Sequence, residues 1–540
     1  MPAAARFRPF PFSGSGYAEI HSKFRWRVPQ HFNIGTACTD ALPPGRLALI
    51  DVSDGERRYT FGELSELTNR MANALTGLGL ERGDRIAVVL PQIAATAIAH
   101  AGAYKAGLIA VPLSSLFGAD ALRYRLADSG ARLVVTDSEG AERIAALDGL
   151  RDLRWILVAE RDLPRLLDDA SPRPPGHASL AEEPCMIIYT SGTTGPPKGV
   201  LHGHRVLIGQ ASGFRMSHEF PPQRGDLMWT PADWAWIGGL VNTLLLAWLH
   251  GVPMIAAARR GFDPEWALDL LARFGVRTTF LPTTALRMML QCEIPKGLRL
   301  RSMVTGGEPV EVGLLDECRA KFGITFNESY GQTEADFTIG QCASRWPVRP
   351  GSMGLPYPGH EVEVRTPEGE RAKVGEVGEV MVRTPDPTAL LEYWHRPDAT
   401  RDKFSGSWLR TGDLARVDED GNFWFEARLD DMIKSAGYRI GPDEIEESLL
   451  RHPSVANTAV VGAPDRIRGQ VVKAYVQLRA GFQPSPDLEA GLRSHVKKHL
   501  AAYQYPRLIE FVDSLPLTSS GKIDRGSLRR HAAAPQGRKC

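Results

Sequence analysis

The segment Tyr189–Gly199 combines small hydroxyl residues, glycines and one lysine, a composition that suits a loop which binds phosphate. Glycine lets backbone N–H groups turn toward an anion, hydroxyls add hydrogen-bond donors, and lysine adds positive charge. The segment differs from a Walker A loop, because Pro197-Lys198-Gly199 stands where that motif requires Gly-Lys and then Ser or Thr. The phosphate-binding candidates are Thr190, Ser191, Gly192, Thr193, Thr194, Gly195 and Lys198.

Alternating helical and extended patterns predict the elements that position this loop. Apolar residues of Phe61–Leu80 recur at helical spacing, whereas Arg85–Leu90 and Cys185–Tyr189 are apolar runs typical of buried strands. Such alternation favours an α/β fold with helices on both faces of a sheet and ligands at the carboxyl ends of its strands. Further predicted helices are 94–105 and 119–129, and further predicted strands are 108–112 and 132–136.

The last part of the chain has a different pattern and predicts a second domain. Short hairpins are expected around 374–383 and 421–428. After them, helices at 445–450 and 488–500 alternate with strands at 456–462, 471–479 and 509–512. The predicted organisation is a large N-terminal α/β domain of several subdomains, residues 1–428, and a small mobile α+β C-terminal domain, residues 429–540.

Composition and charge exclude several classes of protein. The 540 residues include 43% hydrophobic and 24% charged residues, as in globular proteins, and a net charge of +1 favours neither nucleic acid nor anionic lipid as a partner. The six cysteines have no metal-ligand or disulfide-framework spacing, which indicates a reducing compartment. The first residues lack the apolar core of a signal peptide, so we expect a cytoplasmic protein.

Two further patterns have simple structural explanations. The largely apolar stretch 236–258 approaches the length of a membrane span, but Pro253 and polar residues interrupt it. We predict a buried helix over Gly239–Leu249 and a buried strand over Val252–Ala256 instead. The pair His202-x-His204 is interpreted as the start of a helix and not as a metal site.

The loop and five further segments, in the same order, resemble the motifs of the adenylate-forming superfamily, which contains acyl-CoA synthetases, nonribosomal-peptide adenylation domains and luciferases. The loop is similar to the signature Tyr-Thr-Ser-Gly-Ser/Thr-Thr-Gly-x-Pro-Lys-Gly. The residues of these segments are most similar to those of medium-chain acyl-CoA synthetases. The other matching segments are Thr305–Pro309, Asn327–Glu334, Leu409–Asp413, Arg428–Ile440 and Pro516–Lys522.

This resemblance implies that a carboxylate attacks the α-phosphorus of ATP and pyrophosphate leaves. Since two anions must meet, the site has to neutralise charge and align the reactants. The resemblance implies that Glu334 binds Mg²⁺ and that Thr333 donates a hydrogen bond to the α-phosphate. It also implies that Lys522 is a catalytic cation, which the C-terminal domain brings to the site when it closes. The remaining nucleotide-binding candidates are Gly307, Glu308, Pro309, Glu328, Ser329, Tyr330, Gly331, Gln332, Asp413 and Arg428.

The sequence departs from the family pattern directly before Arg428, at the entry to the hinge. Asp413 suits the ribose hydroxyls, because a carboxylate accepts two hydrogen bonds from a diol, and Arg428 would contact ribose or phosphate. Ala427 replaces the usual glycine before that arginine. This difference affects the backbone conformation at the point where the chain enters the hinge segment.

A second half-reaction, transfer of the acyl group to CoA, is also implied by the resemblance. The small domain would rotate about the hinge acid Asp430 and present a second face to the same adenylate. Arg493–His499 could contact CoA phosphates as well, although a solvated helix face explains this stretch better. The CoA-binding candidates are Ala436, Gly437, Tyr438 and Arg468, and Arg439 belongs to the same segment after the hinge.

The acid is expected to be medium-chain, branched or aromatic. Acetate-using relatives have tryptophan where Gly331 stands, so glycine predicts a deeper acyl pocket that extends toward Trp234, Trp236 and Gly238. Ordinary core packing explains the two tryptophans equally well.

Two other functions stay open at this point. One is a standalone adenylation domain that loads an amino or acyl acid onto a carrier protein. The other is a nucleotide-binding regulator without catalysis, which the presence of Lys198, Glu334, Asp413 and Lys522 disfavours. The context of Lys522 also resembles that of a lysine which acetyltransferases and deacetylases regulate in bacterial relatives; acetylation would remove its charge.

Overall fold

A computed structural model describes residues 12, 14, 16–176, 178–190, 196–308, 310, 312–429, 431–435, 438–465, 468–500, 505–518 and 522–533. These residues form two compact units. The first contains the described residues within Met1–Thr190, Pro197–Val362 and Val382–Leu409. The second contains those within Ser191–Pro196, Glu363–Met381 and Arg410–Cys540.

The strands, numbered in chain order, are β1 Leu47–Asp51, β2 Arg57–Thr60, β3 Arg85–Val89, β4 Ile109–Pro112, β5 Leu133–Thr136, β6 Trp155–Val158, β7 Pro184–Thr190, β8 Lys198–Gly203, β9 Met228–Trp229, β10 Met254–Ala256, β11 Thr278–Phe280, β12 Ser302–Gly306, β13 Asn327–Gln332, β14 Ala335–Gly340, β15 Leu355–Pro356, β16 Val362–Arg365, β17 Gly378–Arg383, β18 Glu392–Tyr393, β19 Phe404–Ser405, β20 Trp408–Val417, β21 Phe423–Arg428, β22 Ile433–Ser435, β23 Tyr438–Ile440, β24 Val455–Asp465, β25 Gly469–Leu478 and β26 Leu508–Phe511.

The helices are α1 Tyr17–Lys23, α2 Ile34–Thr39, α3 Phe61–Gly77, α4 Ala94–Lys105, α5 Ala119–Ser129, α6 Ser138–Ala145, α7 Ala159–Asp169, α8 Val206–Ser217, α9 Ile237–Gly239, α10 Leu246–Leu249, α11 Pro264–Phe274, α12 Thr283–Leu290, α13 Val312–Phe322, α14 Pro397–Asp402, α15 Pro442–Leu450, α16 Pro486–His499 and α17 Arg525–Ala533, with a π-helix at Leu240–Leu245 between α9 and α10.

Two largely parallel sheets form the framework of the first unit. One follows the order β15-β14-β13-β12-β11-β9-β10-β1-β2 and the other the order β18-β8-β7-β4-β3-β5-β6. An apolar cluster contains residues of both sheets, such as Met186 and Met254, and buried residues of α3, α4 and α8. Other buried clusters pack on their remaining faces, as parallel sheets require because both faces must be covered. The predicted α/β class of the large domain is confirmed.

Local sequence accounts for several of these elements. Helix α3 begins where predicted, because the Thr60 side chain accepts from Glu63 N and the Glu63 side chain accepts from Thr60 N, a capping box. The predicted helices 94–105 and 119–129 coincide with α4 and α5.

The apolar stretch after Trp236 is buried, as predicted, but it is not one regular α-helix. A π-helix occupies Leu240–Leu245, and the Thr243 hydroxyl donates to the Gly239 carbonyl within it. Side-chain bonding of this kind to a backbone carbonyl one turn back loosens the regular backbone ladder. The predicted strand after it is confirmed as β10. Among the described helices, none combines the length and apolar character that a membrane crossing needs.

The interpretation of His202 as part of a helix start is wrong. His202 lies in β8 and is completely buried, and α8 begins only at Val206, after His204. Burial lowers the pKa of His202 to about 4, so the ring is neutral at physiological pH. In the part of the chain that the structure describes, no group of three His, Cys, Asp or Glu side chains could hold a metal ion.

The second unit is mixed α and β. Its C-terminal sheet follows the order β23-β22-β25-β24, with β26 parallel to β25, and helices α15, α16 and α17 cover it. A further sheet of this unit has the order β16-β17-β20 with β21 paired to β20. The hairpin expected around 421–428 is confirmed as part of the antiparallel β20–β21 pair.

Candidate active site

Glu334 lies in the turn between β13 and β14 and contacts side chains from a distant segment. It is 9% exposed. Tyr393 Oη donates to Glu334 Oε1 at 2.5 Å, and Lys403 Nζ lies 3.9 Å from the same oxygen. Lys403 Nζ also donates to Gln332 Oε1 at 3.3 Å. The protein therefore fixes the carboxylate through one hydroxyl and one cation.

Strand pairing explains how Tyr393 reaches this carboxylate. β18 pairs antiparallel with β8, and Tyr393 lies opposite Val200. Leu390 N donates to the backbone oxygen of Glu334 at 2.8 Å, which joins the segment before β18 to the β13–β14 turn. Lys198, at the start of β8, has its Nζ 5.1 Å from the centroid of the Tyr393 ring, a cation–π contact.

Lys198, Glu334, Tyr393 and Lys403 thus form one group, which we call the lysine–carboxylate cluster. It joins two residues predicted from the sequence, Lys198 and Glu334, with two that were missed. Two ammonium groups and one carboxylate give it a net positive charge. Such a group suits phosphate oxygens, because charge-assisted hydrogen bonds to anions are stronger than neutral ones.

Replacing Tyr393 by phenylalanine is expected to lower kcat by about tenfold, because the Glu334 carboxylate loses the hydrogen bond that orients it. The Mg²⁺ concentration at half-maximal rate should rise in parallel, and a titration of Mg²⁺ at saturating ATP measures it. Tyr17→Phe is the matched control, since the Tyr17 hydroxyl donates to a backbone oxygen, that of Pro356, at 3.0 Å. An unchanged Mg²⁺ dependence in Tyr393→Phe would argue against an orienting role.

The adenine candidates gather at the carboxyl ends of β12 and β13, which run parallel. Gly306 of β12 lies beside Ser329 of β13. Gly307 and Glu308 follow β12 directly, and Gly307 has a φ of +91°, a conformation that favours glycine. The position agrees with the expectation that ligands bind beyond the carboxyl ends of parallel strands.

Glu328 is the buried acid of this group. It is 6% exposed, and burial raises the pKa of its carboxyl to about 8. In the unfolded chain this carboxyl titrates near its ordinary value of 4.5. Between those pH values the folded protein binds a proton that the unfolded chain does not.

The free energy of unfolding should therefore fall as pH rises from about 4.5 to about 8, by an amount on the order of a few kcal/mol. Glu328→Gln keeps a neutral side chain of similar shape, so this part of the pH dependence should disappear and the variant should be the more stable protein at pH 8. Thermal unfolding at pH 5.5 and 8.5 checks it, with the exposed Glu142→Gln as control. Parallel pH dependences of wild type and Glu328→Gln would contradict the proposed protonation.

The ribose candidates lie opposite each other in the second unit. Asp413 of β20 pairs with Arg428 of β21, and Arg428 Nε lies 3.4 Å from Asp413 Oδ1. Asp413 is 5% exposed, and its N–H donates to Thr411 Oγ1 at 3.1 Å. Ala427 is completely buried opposite Leu414, and a shift of register follows, since Ala415 lies opposite Phe425. The β20–β21 pairing is therefore irregular beside Ala427, but it extends to Arg428.

Lys522 and Arg468 lie in exposed turns of the second unit. Lys522 N donates to Thr518 Oγ1 at 3.2 Å, and Thr518 N donates to the Lys522 carbonyl at 2.6 Å. Arg468 N donates to Asp465 Oδ1 at 2.8 Å. Tyr438 and Arg439 belong to β23. The candidates that fall outside the described residues are Ser191, Gly192, Thr193, Thr194, Gly195, Pro309, Asp430, Ala436 and Gly437.

The acyl-pocket candidates lie on two elements of the first unit. Trp234 is fully buried, whereas Trp236 and Gly238 begin the helical stretch that contains α9, and a Cβ at Gly238 would lie 3.5 Å from the Phe280 ring. A Cβ at Gly331 would lie 2.6 Å from Asp336 Cα and from the backbone nitrogen that follows it. A bulky residue at 331 would therefore displace β14 instead of simply shortening a pocket.

Sequence reasoning missed Tyr393 and Lys403. Both lie outside the matching segments, between Asn327–Glu334 and Leu409–Asp413, and Tyr393 is 59 residues from the carboxylate it binds. The pairing of β18 with β8 identifies Tyr393, and the contacts of Lys403 with Glu334 and Gln332 identify Lys403. Both signals are properties of the fold.

The chain is similar to known proteins over most of its length. The AMP-binding enzyme family matches residues 39–394, and the AMP-binding enzyme C-terminal domain matches residues 444–522. The chain is 33% identical to the mitochondrial acyl-coenzyme A synthetase ACSM3 of Rattus norvegicus, over 96% of this chain and 94% of that protein. It is 34% identical to an acetyl-coenzyme A synthetase of Bacillus subtilis, over 88% of this chain and 85% of that protein.

A solved structure extends the similarity to the fold. The anthranilate CoA ligase AuaEII, in complex with anthranoyl-AMP, superimposes with a TM-score of 0.84 at 30% identity, over 94% of this chain and 98% of that chain. The family match, the relatives and the common fold span both units. The chain therefore belongs to the AMP-binding enzyme family, among its acyl-CoA synthetases.

Proposed function

We propose that this protein is an AMP-forming acyl-CoA synthetase that converts a medium-chain, branched or aromatic carboxylic acid first to an acyl-adenylate and then to an acyl-CoA. It is an acid–thiol ligase that uses ATP, as AMP-binding enzymes do. The observation that carries the proposal is the lysine–carboxylate cluster, which joins the family's loop lysine to its acidic motif.

In the first half-reaction, Lys198 and Lys403 neutralise phosphate oxygens of ATP. This lowers the repulsion that opposes approach of the carboxylate to the α-phosphorus. Thr333 donates to the α-phosphate, and Asp413 accepts from the ribose hydroxyls. Lys522 adds a cation where negative charge grows as the new phosphorus–oxygen bond forms and pyrophosphate leaves.

The residues present fit Mg²⁺. The buried Glu334 offers carboxylate oxygens, and Mg²⁺ is held in many ATP-using enzymes by one or two carboxylates together with substrate phosphates. When bound, the ion shields the phosphate charge that the two lysines also counter. Glu334 would hold it, and Tyr393 would keep that carboxylate oriented.

In the second half-reaction the thiol of CoA attacks the adenylate carbonyl and AMP leaves. We propose that residues 429–540 act as a C-terminal domain that turns about Asp430, with residues 1–428 as the large domain. Ala436, Gly437 and Tyr438 would line the path of the pantetheine arm, and Arg468 would contact a CoA phosphate.

The acid belongs to the proposal. The anthranilate ligase has this fold and acts on an aromatic acid, which favours an aromatic or similarly bulky substrate over acetate. The acetyl-coenzyme A synthetase relative makes acetate the necessary comparison in any substrate panel. A cytoplasmic location is proposed on the cysteines, because those that the structure describes are free thiols. Acetylation of Lys522 is proposed as a means of regulation.

Pyrophosphate and AMP release, measured with a panel of acids in the presence and absence of CoA, tests the function. Acid-dependent pyrophosphate release and CoA-dependent AMP release are expected. AMP release that needs a carrier protein in place of CoA would favour the standalone adenylation domain. Nucleotide binding without either product would favour a regulator.

A further inference from the structure

A buried polar pair joins the two elements that carry the proposed acyl pocket. Asn242 lies in the π-helix, one turn after Gly238, and its Nδ2 donates to Asp336 Oδ2 at 2.8 Å. Asp336 belongs to β14 and faces Gly331, where an added Cβ would lie 2.2 Å from Asp336 Oδ1. Asn242 is 6% exposed and Asp336 is 8% exposed. The pair therefore connects the Gly238 side of the pocket with the Gly331 side.

The amide oxygen of Asn242 has a defined orientation. Nδ2 must face the Asp336 carboxylate, because the opposite orientation would place two acceptors against each other. Oδ1 is buried, and no donor among the described residues forms a hydrogen bond with it. A buried acceptor without a donor destabilises a folded protein, so this atom needs a partner that the described residues do not supply.

We infer that Asn242 and Asp336 select carboxylic acids that carry a hydrogen-bond donor, a hydroxyl or amino group, remote from the carboxylate that is activated. The inference rests on the proposed function. The donor of the acid would pair with Asn242 Oδ1, with the Asp336 carboxylate as a neighbouring acceptor. An apolar acid of the same size would leave the amide oxygen unpaired, and sites built to bond a polar group reject analogues that lack it.

Matched acids test this selection. The quantity measured is kcat/KM for CoA-dependent AMP release. One ratio compares 6-hydroxyhexanoate with hexanoate, and a second ratio compares 3-aminobenzoate with benzoate. In the wild type at least one ratio should be about ten or more. Asn242→Leu, which keeps the size but removes the acceptor, should lower that ratio by about tenfold. Thr243→Val is the control and should leave it unchanged, because the Thr243 hydroxyl is paired with the Gly239 carbonyl within its own helix.

Wild-type ratios of one or below in both pairs would overturn the inference, and they are the result expected if ordered water fills the site. A ratio that Asn242→Leu does not change would also overturn it. If Asn242→Leu does not fold, Asn242→Ala removes the same acceptor with a smaller side chain that has no polar atom, and the wild-type ratios still decide. Thioester formation without the preference contradicts this inference alone, whereas no thioester with any acid contradicts the proposed function as well.

Discussion

Replacing Lys522 by alanine is expected to lower the rate of adenylate formation by about 10³-fold, the largest effect of any single substitution considered for this enzyme. The physical reason is electrostatic, because the transition state gathers negative charge around the α-phosphorus and Lys522 is the proposed mobile cation. Lys522 is an exposed residue in a turn, so its side chain contributes little to packing. The substitution should therefore leave the fold unchanged. Acid-dependent pyrophosphate release in a single turnover measures the rate.

Lys498→Ala is a matched control for this substitution. Lys498 is another exposed lysine of the second unit, in the last turn of α16, and its removal changes the net charge by the same amount. Its rate should stay within about twofold of the wild type, as expected for a surface side chain outside the site. Lys522→Arg should retain part of the activity, since it keeps the charge but not the compact ammonium group. Full-speed adenylation by Lys522→Ala would remove the proposed role of this lysine.

Glu334→Gln is expected to lower kcat by about 10²-fold, because glutamine keeps the shape of the side chain and the acceptor for Tyr393 but loses the negative charge that Mg²⁺ requires. The two lysines of the cluster would then face no carboxylate. ATP binding measured without metal should therefore stay the same or become tighter, while the Mg²⁺ concentration at half-maximal rate rises. This combination separates loss of a metal ligand from general damage to the site.

A surface acid provides the comparison for Glu334. Glu361→Gln removes an exposed carboxylate of the first unit whose partner is Arg383, at 3.2 Å. Neither the rate nor the Mg²⁺ dependence should change, because an exposed ion pair contributes little to stability and this one is outside the cluster. Normal Mg²⁺ dependence in Glu334→Gln would show that other oxygens hold the ion.

Short contiguous motifs predicted much of the candidate site. The glycine-rich loop with Lys198, the turn that carries Glu334 and the strand that carries Asp413 each combine several chemically suited residues within a dozen positions. A local motif indicates a chemical function without knowledge of the fold. Its residues are close together in space because they belong to one turn or one strand. The same locality explains why α3, α4 and α5 were predicted well, since capping and helical periodicity act within a few residues.

Other features depended on contacts between distant segments. Tyr393 reaches Glu334 through strand register, Asn242 meets Asp336 across 94 residues, and the raised pKa of Glu328 is a consequence of burial. The His202 prediction failed for a different reason, since a residue followed closely by a helix can still belong to the strand before it, here β8 paired with the neighbouring β7.

The sequence by itself determined which chemistry is available to this protein, because the candidate catalytic residues and their spacing occur within short contiguous segments. Only the tertiary structure decided which groups orient those residues and which buried polar atoms of the described residues lack partners. Strand pairing and burial set the distances between remote side chains and the solvation of each charge, and neither quantity is a function of local sequence.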